Sequence, residues 1–223
     1  MSVHAVARPI TVGVLDDHVA NIDGYEFRLA QDPGIQLVWR AEVGEELPRR
    51  LAEHPVDVLL LDLSVPTSHL NRSPYPILVV LPRLLDGYPG LNVVVITMHA
   101  ESSLIKAVMR AGASGYLLKD DKASLTDLAS VVRAVAQGGV RLSPQAELSW
   151  RAQASDGTLT ARQLQALQLC AAFPNSTGRD LAQRLAISPS TLRNLLSSLY
   201  LRLGVRTRQA AVEEARRRGL LPG

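Results

Sequence analysis

Five polar side chains stand where apolar runs stop. Asp16 and Asp17 follow "ITVGVL" (10–15), Asp62 follows "VDVLLL" (56–61), Thr97 ends "NVVVIT" (92–97) and Lys119 follows "SGYLL" (114–118). Asp is depleted in strands and is almost never buried unless paired, so strands that end in carboxylates need a chemical reason. Three carboxylates crowded together repel unless a cation sits among them. A hard divalent ion with oxygen ligands, Mg²⁺, suits such a set. A hydroxyl, a lysine and Mg²⁺ around one carboxylate form a site for a phosphoryl group.

The elements that must position these residues are also legible. The four runs above and "IQLVWR" (35–40) are short, rich in Val, Ile and Leu, and continuous rather than alternating. Such strands are buried on both faces, as in a parallel sheet. Helix-like stretches lie between them: "HVANIDGYEFRLAQD", "EELPRRLAEH", "ILVVLPRLLDGY", "ESSLIKAVMRAG" and "ASLTDLASVVRAVAQ". Five βα units make an α/β doubly wound, parallel five-stranded domain over residues 8–138. Pro82 predicts a late start or a kink in the third helix. Ligand sites in these folds lie beyond the carboxyl ends of the strands, at a topological switch point. That rule brings all five polar residues to one edge of the sheet.

Composition sets the wider frame. A chain of 223 residues with 47% hydrophobic content fills more than one core. It holds no apolar run of about 18 residues and no signal-peptide pattern at its start, so a cytoplasmic protein without a membrane partner is expected. The single cysteine, Cys170, sits in an apolar helical stretch and reads as core. The five histidines, His4, His18, His54, His69 and His99, share no metal-ligand spacing, and His18 reads as helix entry. The net charge of +3 hides an asymmetry. Residues 1–157 carry 14 Lys and Arg against 18 Asp and Glu, whereas residues 158–223 carry 10 Arg against 3 acids. A basic tail on an acidic front points to a polyanion as partner of the tail.

The tail has its own organisation. Residues 139–157 read as a linker with a short helix, "PQAELSWRAQ", capped by Ser143 with Pro144 at N1, and then "ASDGT". Residues 158–223 carry four helical signals. Thr160 and Gln163 have capping-box spacing, Thr177 and Asp180 repeat it, and Ser188 with Pro189 opens the third helix. In that helix Leu192, Leu195, Leu196, Leu199 and Leu203 recur at helical spacing and predict a buried stripe. Ser190, Thr191, Arg193, Asn194, Ser197 and Arg202 lie off the stripe. The second helix, a tight turn at "AIS" and the third helix form a helix-turn-helix, all-α and four-helix in total. Arg193, Asn194 and Ser197 are assigned to base edges, since Arg pairs with guanine and Asn with adenine in the major groove. Thr191, Arg202, Arg206 and Arg208 are assigned to phosphates.

The acidic pair Asp16–Asp17, Asp62, Thr97, Lys119, Tyr116 and the string "AVMRAGASGYLLKDD" resemble a bacterial response-regulator receiver domain. The tail, "LTARQ…LAQRLAISPSTLRNLLSSLYLRLGV", resembles a LuxR-type DNA-binding domain, and together they resemble the NarL/FixJ subfamily. The resemblance implies that Asp62 accepts a phosphoryl group from a sensor histidine kinase or a small phosphodonor. Asp17, Asp62 and the Ser64 carbonyl would hold Mg²⁺, with Asp16 acting mainly through water. Thr97 and Tyr116 would form the switch, and Lys119 would pair with the phosphorylated carboxylate. Phosphorylation would alter the surface of the fourth helix, fifth strand and fifth helix. The implied partners are the kinase, double-stranded DNA, a second copy of the chain when active and RNA polymerase. The chain would be a regulator and not an enzyme. A Mg²⁺-dependent phosphatase would want two Asp separated by one residue after a single strand, which is absent here. The alternative is a regulator whose dimerisation and DNA binding do not depend on phosphorylation.

Three departures from the pattern stand out. Val65 and Thr67 replace Met and Gly after Asp62, and Pro66, Pro74 and Pro76 make a long loop beside the site. The loop reads either as a surface insertion or as an element that alters access to Asp62. Gln163 stands where Glu is usual, and Leu195 where His is frequent.

Overall fold

The computed structural model describes residues 8–151 and 159–221; His4 and the "ASDGT" linker lie outside them. The first half runs β1 (Ile10–Leu15), α1 (Val19–Leu29), β2 (Ile35–Ala41), α2 (Leu47–Glu53), β3 (Val58–Leu61), α3 (Ile77–Gly87), β4 (Asn92–Thr97), α4 (Ser102–Arg110), β5 (Gly115–Leu118), α5 (Lys122–Thr126) and α6 (Leu128–Ala136). β6 (Arg141–Leu142) and α7 (Pro144–Arg151) follow, and the tail contains α8 (Ala161–Ala172), α9 (Gly178–Arg184), α10 (Pro189–Leu203) and α11 (Arg208–Arg217).

The sheet is parallel throughout, in the order β2-β1-β3-β4-β5-β6. The order reverses between β1 and β3, which is the switch point. Each of β3 and β5 is buried at every residue, as their unbroken apolar runs require. One face of the sheet packs on α1 and α6 through Ile22, Leu29, Leu128 and Val132. The other packs on α2, α3 and α4 through Leu51, Leu81, Leu85 and Ile105. Gly13 is required where β1 meets β2, because a Cβ there would fall 2.4 Å from the Trp39 indole.

The sheet has six strands rather than five. β6 is two residues long, too short to leave a periodicity in the sequence, and it pairs Leu142 with Tyr116 on β5. The last helix-like stretch of this half divides at Asp127 into α5 and α6. α3 starts at Ile77, directly after Pro76, and Pro82 lies inside it, so there is no late start. Ser143 precedes α7 as expected, and its carbonyl accepts from the Glu147 N–H. Its hydroxyl is buried without a hydrogen-bond partner, so it is not a side-chain cap.

The tail's caps form as their spacing dictates. Thr160 with Gln163 and Thr177 with Asp180 close capping boxes, and the Ser188 hydroxyl accepts from the Thr191 N–H. Gln163 also donates to Ser198 Oγ (3.0 Å), tying the start of α8 to α10. Ala186 takes φ +52° in the turn between α9 and α10. Leu192, Leu199 and Leu203 are buried, while Leu195 and Leu196 are half-buried. Leu199, Tyr200 and Leu203 belong to the same apolar cluster as Leu85 and Ile105, so the tail is packed on the sheet-bearing half.

Candidate phosphoacceptor pocket and recognition helix

The pocket lies where the topology puts it. Asp62 is buried at the end of β3, and its N–H donates to the Leu15 carbonyl (2.8 Å). Lys119 Nζ lies 2.8 Å from Asp62 Oδ2 and 2.8 Å from Asp16 Oδ2, bridging the ends of β1 and β3. Burial works against the lysine charge, but these two carboxylates outweigh it and hold its pKa above that of free lysine. Asp16 is fully buried and well supplied with donors. Its Oδ1 accepts from the His18 N–H (2.9 Å) and Asn21 Nδ2 (3.1 Å), and its Oδ2 from Tyr25 Oη (3.3 Å). Burial, then the Asp16 carboxylate, pushes the Tyr25 phenol far up, so it stays a donor. Asn21 and Tyr25 escaped the sequence reading. Their signal was two polar groups one turn apart on the inward side of α1.

Two carboxylates, Asp16 and Asp62, thus share one ammonium, and Asp17 adds a third carboxylate beside Asp16. The excess negative charge and the hard oxygen donors fit a divalent cation such as Mg²⁺. Among the described residues, the ligand atoms within 4.8 Å of one another belong to Asp16, Asp17 and His18; Asp62 is not in that group. His18 is the N-cap residue before α1, and its Nδ1 lies 2.8 Å from Asp17 Oδ1. The Ser64 N–H donates to Asp62 Oδ1 (3.3 Å), and Ser64 Oγ lies 3.2 Å from His99 Nε2, joining the loops after β3 and β4.

Thr97 is fully buried at the end of β4, and its Oγ1 accepts from the His99 N–H (3.4 Å). Tyr116 is also fully buried, with its hydroxyl donating to the His99 carbonyl (2.8 Å). Burial, then Glu101 and Asp62, raises its phenol pKa. The α4–β5 surface is not open. α7 lies on it, burying Ala146 and Trp150, and the Ser143 N–H donates to the Tyr116 carbonyl (2.9 Å). The long loop after Asp62 folds back on the segment after β2. Pro66 pairs with Pro74, the Gly44 N–H donates to the Pro66 carbonyl (2.9 Å), and the Tyr75 ring covers Gly44. Its anchorage is therefore to residues 44 and 45, while the outermost side chain, Leu70, is fully exposed.

The recognition helix shows the larger difference. Arg193, Asn194 and Ser197 were expected on an exposed face of α10. In the structure that face lies against the first half. The Ser190 hydroxyl donates to Asp86 Oδ1 (2.5 Å), Arg193 Nη2 donates to the Pro89 carbonyl (2.8 Å), and Asn194 sits beside Gly112. Ser190 and Ser197 are buried, and Arg193 and Asn194 are half-buried. The physical reason is that α10 has two inward faces. Leu192 and Leu196 serve the tail's own core, and Ser190, Arg193, Asn194 and Ser197, three or four residues apart, meet α3, α4 and the loops beyond them. Of the flanking residues, Thr191 is exposed and Arg202 half-buried. Arg206 pairs with Glu147 of α7 (2.7 Å), and Arg208 donates to the Ser176 carbonyl (2.6 Å).

Known proteins resemble this chain in sequence and in fold. Residues 12–130 match the response regulator receiver domain family. The transcriptional regulatory protein DegU of Brevibacillus brevis is 27% identical, covering 94% of each chain. The transcriptional regulatory protein UhpA of Salmonella typhimurium is 30% identical, covering 88% of this chain and 92% of its own. The structure of RcsB from Salmonella enterica serovar Typhimurium, bound to promoter P1flhDC in the presence of phosphomimetic BeF3−, superposes with a TM-score of 0.57. It has 22% identity and covers 93% of this chain and 98% of that one, a likeness of fold.

Proposed function

We propose that this chain, which belongs to the response-regulator receiver family, is a DNA-binding transcription regulator of a two-component system, shut by its own first half and opened by phosphorylation of Asp62. The observation that carries this reading is Asp62, buried at the switch point and bonded by Lys119 in a pocket with excess negative charge. The regulators DegU and UhpA, matched over nearly their whole length, support the transcriptional role. Residues 8–138 form the receiver, 139–157 the linker, and 158–223 the helix-turn-helix domain.

The Asp62 carboxylate attacks the phosphorus of a kinase phosphohistidine; the new O–P bond forms as the N–P bond to imidazole breaks. Asp17, Asp62 and the Ser64 carbonyl would hold Mg²⁺, with Asp16 acting through water. When bound, the ion offsets the charge of the carboxylates and of the incoming phosphoryl group. Lys119 keeps its pairing with the modified carboxylate. Phosphorylation adds negative charge and strong acceptors. Thr97 turns its hydroxyl to that new acceptor and gives up the His99 N–H, which frees the segment that also holds Tyr116. Tyr116 is already inside, so its movement is a shift within the core. β6 and α7 lie on its strand, and α7 reaches the tail through Glu147 and Arg206. This gives a continuous mechanical route from the pocket to the recognition helix, biasing a closed–open equilibrium. Released copies pair on two half-sites, because one recognition helix reads only one. An activator working this way would meet RNA polymerase, and the chain itself is the kinase's substrate rather than an enzyme, working in the cytoplasm.

The test is acetyl phosphate with Mg²⁺, read by intact mass. One phosphate should be added to the wild type and none to Asp62→Asn; equal labelling removes Asp62 as the acceptor. In the open form, Arg193→Ala should cost roughly 1–3 kcal/mol and relax preference at one base position. Arg206→Ala should weaken specific and random DNA alike and lower the salt slope by about 1. The reverse pattern would place a different face in the groove.

A further inference from the structure

Between the two halves lies a cavity of about 180 Å³. Asn92 and Ser114 line it from the sheet side, and Arg193, Ser197 and Arg208 from the tail. Among the described residues that line it, none is an Asp or a Glu. Arg193 Nη1 is buried without a hydrogen-bond partner, while Nη2 is satisfied by the Pro89 carbonyl. The nearby carboxylate, Asp86, takes the Ser190 hydroxyl. Arg208 is held by the Ser176 and Pro174 carbonyls. Two arginines thus line one half-open space with no carboxylate on its wall. Asp86 offsets only part of the burial cost of Arg193, and guanidinium is built to take an oxoanion.

We propose that this interdomain cavity binds a small phosphate-class oxoanion, held by Arg193 with Arg208, Ser114, Ser197 and Asn92 around it. The desolvated state of Arg193 agrees: burial pushes its guanidinium down to about 10 against the pull of Asp86, and an anion would add negative charge beside it. The space exceeds several water volumes of about 30 Å³ each, which is room for a phosphate with part of its hydration. Because both halves build the wall, the anion binds only the closed form. It therefore favours closure and opposes any partner that needs α10 exposed. The site extends the functional reading above, and only the competition with DNA rests on that reading.

Isothermal titration of the full-length chain with inorganic phosphate, in Mg²⁺-free buffer at constant ionic strength set by chloride, tests the site directly. One saturable site is expected, unchanged in Asp62→Asn and at least tenfold weaker in Arg193→Met. Ser197→Leu, which fills the cavity while keeping both arginines, should weaken it equally, with folding checked by thermal melting. Glycerol 3-phosphate as a second probe separates a free ion from the phosphate group of a metabolite. Phosphate at ten times its Kd should weaken DNA binding by about tenfold. No saturable phosphate binding, or binding equal in wild type, Arg193→Met and Ser197→Leu, overturns the site. Phosphate binding without competition leaves the anion site standing and refutes only the link to DNA.

Discussion

Lys119 and Arg193 are both cations drawn away from water, and they are treated oppositely. Lys119 sits between two buried carboxylates, each 2.8 Å away, and its pKa is held above that of free lysine. Arg193 has one carbonyl for one nitrogen and nothing for another, and its pKa is pushed down to about 10. The difference separates a site assembled for its task within one half from a surface covered by the other half. The lysine's partners come from the ends of neighbouring strands, fixed by the sheet. The arginine's surroundings come from the other half, and its charge, only partly offset by Asp86, leaves it suited to another anion.

Stability measurements break or sharpen this contrast. Lys119→Met leaves Asp16 and Asp62 buried without a positive neighbour. It should cost roughly 3 kcal/mol in urea melts without Mg²⁺, in the range for removing one partner of a buried pair. Arg193→Met, of similar length, loses one hydrogen bond but also the burial cost of an underpaired charge, so its cost should stay below about 1 kcal/mol. Equal losses would mean that Arg193 is as well satisfied as Lys119.

A smaller effect is expected from Asp86→Ala. The Asp86 carboxylate holds the Ser190 hydroxyl at the start of α10 and was not assigned to DNA. A hydrogen bond to a charged group contributes about 1.5 kcal/mol. The unphosphorylated variant should therefore bind DNA up to about tenfold more tightly, measured by fluorescence anisotropy. Unchanged affinity would show that this contact does not hold the helix shut.

The smallest effect belongs to an ion-pair cluster on α11. Arg217, then Arg218, beside Glu214 hold its carboxyl down to about 2, against an ordinary 4.5. A depressed folded-state pKa gives stability that is present above pH 4.5 and lost as the pH falls toward 2. Glu214→Gln should flatten the acid limb of a stability profile in that window and leave neutral pH nearly unchanged. A variant with an unaltered acid limb would show that solvent screens the pair completely.

The sequence by itself determined the strand ends, the caps and the positions of the proposed phosphoacceptor residues. Strands buried on both faces must be unbroken apolar runs, so Asp16, Asp62, Thr97 and Lys119 mark their ends and the parallel topology brings them together. Thr160–Gln163, Thr177–Asp180 and Ser188–Thr191 are three residues apart, so local geometry alone closes those caps. Even the pocket was only partly legible. Asn21 and Tyr25 join Asp16 because α1 packs on the sheet, and Ser64 meets His99 across 35 positions of chain. Only the tertiary structure decided the fate of the recognition helix. Ser190 meets Asp86, and Arg193 meets Pro89, across 104 positions each. A polar helix face reads the same in sequence whether it faces solvent, DNA or another half of the same chain. Helical periodicity reports which residues share a face, and packing between distant segments chooses what that face touches.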